Sequence, residues 1–133
     1  MEVTLAVVAQ EFKPHGDGML DILGISTGML VSAVPYVEPQ LDFVLAFSAH
    51  PAEVGRERYI EVQVFEGDET LKIYRTSIVV PDSPREGIRP SSYIHFALPN
   101  VPFPRFGDYS LVVLVGEDEK TTVPFYVTSP EGE

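Results

Sequence analysis

The sequence predicts an all-β protein, an immunoglobulin-like antiparallel β-sandwich of seven or eight strands. Three observations lead there. Apolar and polar residues alternate in short runs, turn formers recur between those runs, and no stretch of ten or more residues keeps a helical period. Twelve prolines and ten glycines in 133 residues make the chain turn often, as short strands require and long helices do not allow.

Val3–Ala9 reads as the first strand, with Val3, Leu5 and Val7 on one face and Thr4, Ala6 and Val8 on the other. Both faces are largely apolar, so the strand should be covered on both sides. Lys13–Gly18 is dense in turn formers and ends it. Met19–Ser26 then returns as a second strand beside the first. Thr27–Gln40, which holds Gly28, Pro35 and Pro39, reads as a connection crossing between sheets.

Leu41, Phe43, Leu45 and Phe47 alternate with Asp42, Val44, Ala46 and Ser48, the pattern of a core strand. Pro51–Arg56 turns the chain. Ile60, Val62 and Val64 alternate with Glu61, Gln63 and Phe65 in a strand with one wet face, and Glu66–Glu69 is a hairpin turn. The next strand carries Leu71 and Ile73, then Thr76, Ile78 and Val80, and this shift of parity means either a bulge near Tyr74–Arg75 or one end that changes face.

Pro81–Pro90 reads as a polar, mobile loop. Tyr93–Leu98 alternates again, with Ile94, Phe96 and Leu98 inward and Tyr93, His95 and Ala97 outward. Pro99–Pro104 is too rich in proline for a helix or an inner strand and is expected as an ordered loop. Tyr109–Val115 is the most apolar run and should be central. Lys120–Val127 closes the sheet, and Pro124, which brings no N–H, marks it as an edge strand. One domain over residues 1–133, with a short tail at about 129–133, accounts for the whole length.

The most informative local feature is Phe106-Gly107-Asp108-Tyr109-Ser110-Leu111. A Gly-x-Tyr opening a late central strand matches the tyrosine corner of immunoglobulin-like folds, whose hydroxyl bonds back to backbone a few residues upstream. Leu111 stands where antibody domains keep a cysteine. The plainer alternative is a tyrosine that only begins a strand. Together with Ala9-Gln10, Gly18–Ile25 and Val123-Pro124-Phe125, this strand resembles an uncharacterised bacterial family of small cytoplasmic proteins. That resemblance implies an immunoglobulin-like sandwich in a domain of unknown function, and it carries no catalytic residues over.

Composition excludes several chemistries. The chain has no cysteine, so disulfides, thiolate metal sites and cysteine nucleophiles are impossible. That absence fits a reducing cytoplasm. Met1-Glu2-Val3 opens without a basic n-region, which argues against a signal peptide, and no run approaches the length of a membrane-spanning helix. The formal net charge of −11 repels phosphate backbones and anionic membrane surfaces, so neither nucleic acid nor membrane is expected as a partner. Solubility is its plainest use.

Candidates for a site are few. His15, His50 and His95 have no metal-ligand spacing, and His15 is expected to be solvated. Glu66, Asp68 and Glu69 share one turn and Glu117, Asp118 and Glu119 another; both offer oxygen ligands to calcium without matching a known calcium loop. Gly24-Ile25-Ser26-Thr27-Gly28 fits Gly-x-Ser-x-Gly by spacing alone, without the helical run that must follow a nucleophile elbow, and no phosphate loop occurs. No catalytic residue, cofactor or metal site is therefore assigned, and the protein is not expected to be an enzyme.

Among Tyr36, Tyr59, Tyr74 and Tyr93, all at positions open to exposure, the outward Tyr59 and Tyr93 with His95 form the candidate interaction surface. Tyrosine supplies large contact area at low entropy cost, although cross-strand pairing on a wet sheet is the plainer explanation. A non-catalytic interaction or structural module, self-associating or binding another protein through a sheet face or edge, is the leading expectation. A small-ligand or calcium-binding domain using the acidic turns is the alternative.

Overall fold

In the computed structural model, which describes residues 1–15, 20–83 and 86–130, alternating apolar residues build nine strands. They are β1 (Glu2–Pro14), β2 (Leu20–Ser26), β3 (Gly28–Leu30), β4 (Tyr36–Ser48), β5 (Glu57–Glu66), β6 (Glu69–Val79), β7 (Ser91–Phe103), β8 (Gly107–Val115) and β9 (Asp118–Thr128). A 3-10 turn at Pro51–Glu53 joins β4 to β5. The strands form a four-stranded sheet, β2-β1-β4-β7, and a five-stranded sheet, β3-β9-β8-β5-β6. With β2 and β3 set aside, β1-β4-β7 faces β9-β8-β5-β6. That is the A-B-E against G-F-C-C′ order of an immunoglobulin-like sandwich.

The core fills from both inner faces. Phe43, Leu45, Leu98 and Phe103 from one sheet meet Ile60, Val62, Leu111, Val113 and Phe125 from the other in one hydrophobic cluster. Tyr109 opens β8 and closes the tyrosine corner: its hydroxyl donates to the Arg105 carbonyl and accepts from the Arg105 N–H at 3.1 Å. Its ring packs edge-on against Phe103, centroids 5.0 Å apart. Leu111, two residues on, is fully buried.

Several expectations need correction. Nine strands lie among the described residues because Gly28–Leu30, inside the expected sheet-crossing connection, pairs in parallel with the end of β9. The crossing itself is real, since β2 and β4 lie in one sheet and β3 in the other. The first strand does not end at Ala9 but runs to Pro14 and pairs with β2; Gly16–Met19, in the expected turn and strand start, lie outside the described residues. The bulge in β6 falls at Leu71, where the register with β5 slips, so Ile73 faces outward and Tyr74 is buried rather than exposed.

Pro99–Phe103 is not a loop: β7 runs through it as the edge of its sheet, where a missing N–H can be tolerated. The inward parity shifts by one between Leu98 and Val101, across Asn100 with its φ of 51°. In β9 the Tyr126 N–H points to β3, donating to the Thr27 carbonyl. Pro124, two residues earlier, therefore turns its nitrogen to the same side, where β3 no longer reaches; β9 is an edge there and covered below. Ser129, placed in the expected tail, is buried. The expected loop is tied at both ends, by Val80 N–H to the Arg56 carbonyl and by Ala49 N–H to the Pro90 carbonyl; Pro84 and Arg85 lie outside the described residues.

Candidate functional site: a gap in the four-stranded sheet

The first sheet changes character halfway along. β1 pairs with β4 only over Glu2–Val8 against Phe43–Ser48. Beyond Val8 it keeps β2 and leaves β4. Gly24 makes this possible on the β2 side: its φ of +69° suits glycine, and a Cβ there would meet the Gln10 side chain at 2.8 Å. The freed β1–β2 arm then curls across the outer face of its own sheet. The Phe12 ring reaches His95 on β7, beyond β4, with centroids 4.1 Å apart. Leu20 and Ile22 face Leu5, Ala46 and Tyr93 across a cavity of about 430 Å³.

This arm explains why both faces of β1 and β4 are apolar. Val44 alternates with the core residues Phe43 and Leu45, so it points outward, yet it is fully buried. It also places the predicted surface residues. Tyr93 and His95 sit on the outer face of β7, half-buried around the arm. His95 Nε2 lies 2.7 Å from Asp42 Oδ1, and that carboxylate also accepts from Gln40 at 2.8 Å. Tyr59 belongs to β5 in the other sheet, 62% exposed, its hydroxyl donating to Glu57 at 2.7 Å. Tyr93 and His95 are brought together; Tyr59 is not with them.

Where the arm has left, Tyr36–Asp42 of β4 keeps β7 on one side and has no strand on the other among the described residues. Beside this bare edge opens a cleft of about 500 Å³. Met29, Leu41 and Phe125 give it an apolar floor. Leu30 and Tyr126 stand on its rim, 64% and 45% exposed, and Val37, at 52%, lies on the bare segment itself. Glu38 and Asp42 both line it, and its described lining includes no Lys, Arg or His. Glu38 accepts from the Tyr36 hydroxyl at 2.8 Å, which pushes the Tyr36 pKa up.

Alternation along Leu41–Phe47 marks β4 as a core strand but says nothing about which half of it has two neighbours. The local hint of the gap is Gly24, which lets the arm turn away.

The carboxylates of the first acidic turn face an arginine. Arg105 pairs with both oxygens of Glu66 and approaches Glu69 at 4.0 Å, so the first turn is an arginine clasp beside the tyrosine corner. Among the described residues no three His, Asp or Glu side chains are grouped to hold a metal. His15 is exposed and bonds Asp21 at 2.8 Å. His50 caps the 3-10 turn, its ring accepting from the Ala52 N–H at 3.0 Å. No helix of the described residues is long and apolar enough to cross a membrane.

A family model described as "Family of unknown function (DUF6941)" matches residues 4–128. Among solved structures, chicken MD-1 complexed with lipid IVa is similar, at 16% identity over 66% of this chain and 67% of that one, with a TM-score of 0.30. No curated protein matches.

Proposed function

The chain belongs to this family of unknown function, whose model spans residues 4–128, and from that premise we propose that it is a non-catalytic protein-interaction module that engages its partner through a strand edge. One observation carries this reading: the bare edge of β4 is bordered by exposed apolar side chains, Leu30, Val37 and Tyr126. An unpaired edge is a template for another strand, and apolar side chains left in water beside it gain free energy when covered. Main-chain bonds and side-chain contacts are the two ingredients of strand addition.

The absence of cysteine accords with work in a reducing bacterial cytoplasm. Tyr93 and His95 seat the β1–β2 arm, so the interaction surface we propose is the gap the arm leaves.

The test combines sedimentation of the pure protein with affinity capture from its source, followed by hydrogen exchange of the purified complex. A partner that protects a strand edge, and that is lost from a Val37→Lys variant folded like the wild type, is the expected result. A monomer that retains nothing would overturn the proposal, as would a partner whose footprint avoids every edge.

A further inference from the structure

We propose that the occupant of the gap is an extended, basic segment of another protein, laid along Tyr36–Asp42 with its Lys or Arg side chains on Glu38 and Asp42. This rests on the interaction reading and names the chemistry of its partner. The shape of the occupant follows from the place it fills. β1 would have been the next strand beside Tyr36–Asp42 and has left it, so the sheet lacks one strand over about seven residues. The neighbouring sheet still supplies a floor there, Met29 and Phe125, and a rim, Leu30 and Tyr126. A strand in this position presents alternate side chains to floor and solvent, so a peptide of alternating character fits and a compact ligand leaves the backbone edge bare.

The sign of its charge follows from Glu38 and Asp42 at the cleft, from the lack of a basic residue in its described lining, and from a chain net charge of −11. Such a field draws a basic segment in and speeds its arrival. It also argues against a second copy. Two β4 edges paired antiparallel about a two-fold centred near Gln40 would set Glu38 of each chain opposite Asp42 of the other, and like charges opposite each other on a sheet destabilise it. Pro39 shares the parity of Ala49, whose N–H bonds the Pro90 carbonyl beside β7, so its missing N–H falls on the β7 side and the bare edge offers the main chain of Glu38, Gln40 and Asp42, which any strand could take. The side-chain contacts must then supply the discrimination.

The probe is a fluorescent seven-residue peptide of alternating valine and lysine, with two controls: alternating valine and glutamate, and the lysine peptide with alternate backbone nitrogens methylated. Anisotropy at low and moderate salt gives affinities on the full chain, and amide NMR shifts map the footprint. The lysine peptide should bind saturably, shifting Val37–Asp42, Leu30 and Tyr126, and each control should bind at least tenfold more weakly. Glu38→Lys should weaken binding at least tenfold, and Val37→Lys, on an exposed position, repeats the test if the first variant folds poorly. The inference is overturned if the lysine peptide does not saturate by millimolar concentration, if the glutamate peptide binds equally, or if the shifts map to β2 or β6. A natural partner that protects another edge would also sink it, while leaving the interaction reading intact.

Discussion

Replacing Tyr109 by phenylalanine isolates the tyrosine corner from the rest of the core. The ring, which is almost wholly buried and packs on Phe103, is kept; only the hydroxyl goes. That hydroxyl makes two bonds to one residue, donating to the Arg105 carbonyl and accepting from the Arg105 N–H at 3.1 Å. A typical intramolecular hydrogen bond contributes roughly 1 kcal/mol net, and a partner left unsatisfied in a buried place costs about 1–3 kcal/mol. Water can reach the Arg105 backbone in part, so we expect a loss of about 2 kcal/mol. For a domain of this size that lowers Tm by roughly 6–8 °C. Urea unfolding should give a lower midpoint with an unchanged slope, since the surface exposed on unfolding stays the same. The control is Tyr59→Phe, whose exposed hydroxyl reaches only Glu57; it should change stability by less than about 0.5 kcal/mol. If the two variants lose the same amount, the corner does not hold the β7–β8 connection and the assignment is wrong.

Three further outcomes are expected. Glu53 accepts from the His50 N–H at 2.8 Å, the Met1 ammonium at 3.2 Å and Arg58 at 3.1 Å, and chiefly the first of these holds its carboxyl down to about 2. A depressed carboxyl contributes stability above its unfolded pKa that is lost as pH falls through the folded one. Glu53→Gln should therefore be less stable by about 1–2 kcal/mol at pH 7, after solvent screening, with the gap closing near pH 2 in urea melts. Burial pushes the Tyr74 hydroxyl up to about 12 while it donates to the Pro99 carbonyl at 2.8 Å. Its contribution is complete below pH 10 and lost as pH rises through about 12, so Tyr74→Phe should flatten the alkaline fall in Tm relative to wild type. At Gly28 a Cβ would stand 2.6 Å from the Tyr126 ring; Gly28→Ala should cost about 1–3 kcal/mol by overpacking, read by thermal melts, and unchanged stability would mean that ring does not lie on β3.

Local pattern carried most of the architecture. Period-two alternation placed Leu41–Phe47, Ile60–Val64 and Tyr93–Leu98, because a half-buried strand writes its two faces directly into the chain, and an unbroken apolar run placed Tyr109–Val115 at the centre of its sheet. Gly107-Asp108-Tyr109 carried the corner because its bond closes over four residues. The parity shift in β6 is ambiguous in sequence because an apolar Ile73 facing outward looks like a core residue, which hides the bulge at Leu71. Pro99 and Pro102 read as a loop because sequence does not say that β7 is an edge, where proline is tolerated.

By itself, then, the sequence determined an all-β sandwich, its central strands, its tyrosine corner and an acidic, cysteine-free chain unsuited to thiol chemistry. Only the tertiary structure decided which strand segments lack neighbours. Pairing joins residues far apart in the chain: Asp42 meets His95 and not β1, because β1 leaves at Val8 to lay Phe12 on that histidine. A vacancy beside a strand is a property of what fails to return to it, and no alternation along the strand itself can record that.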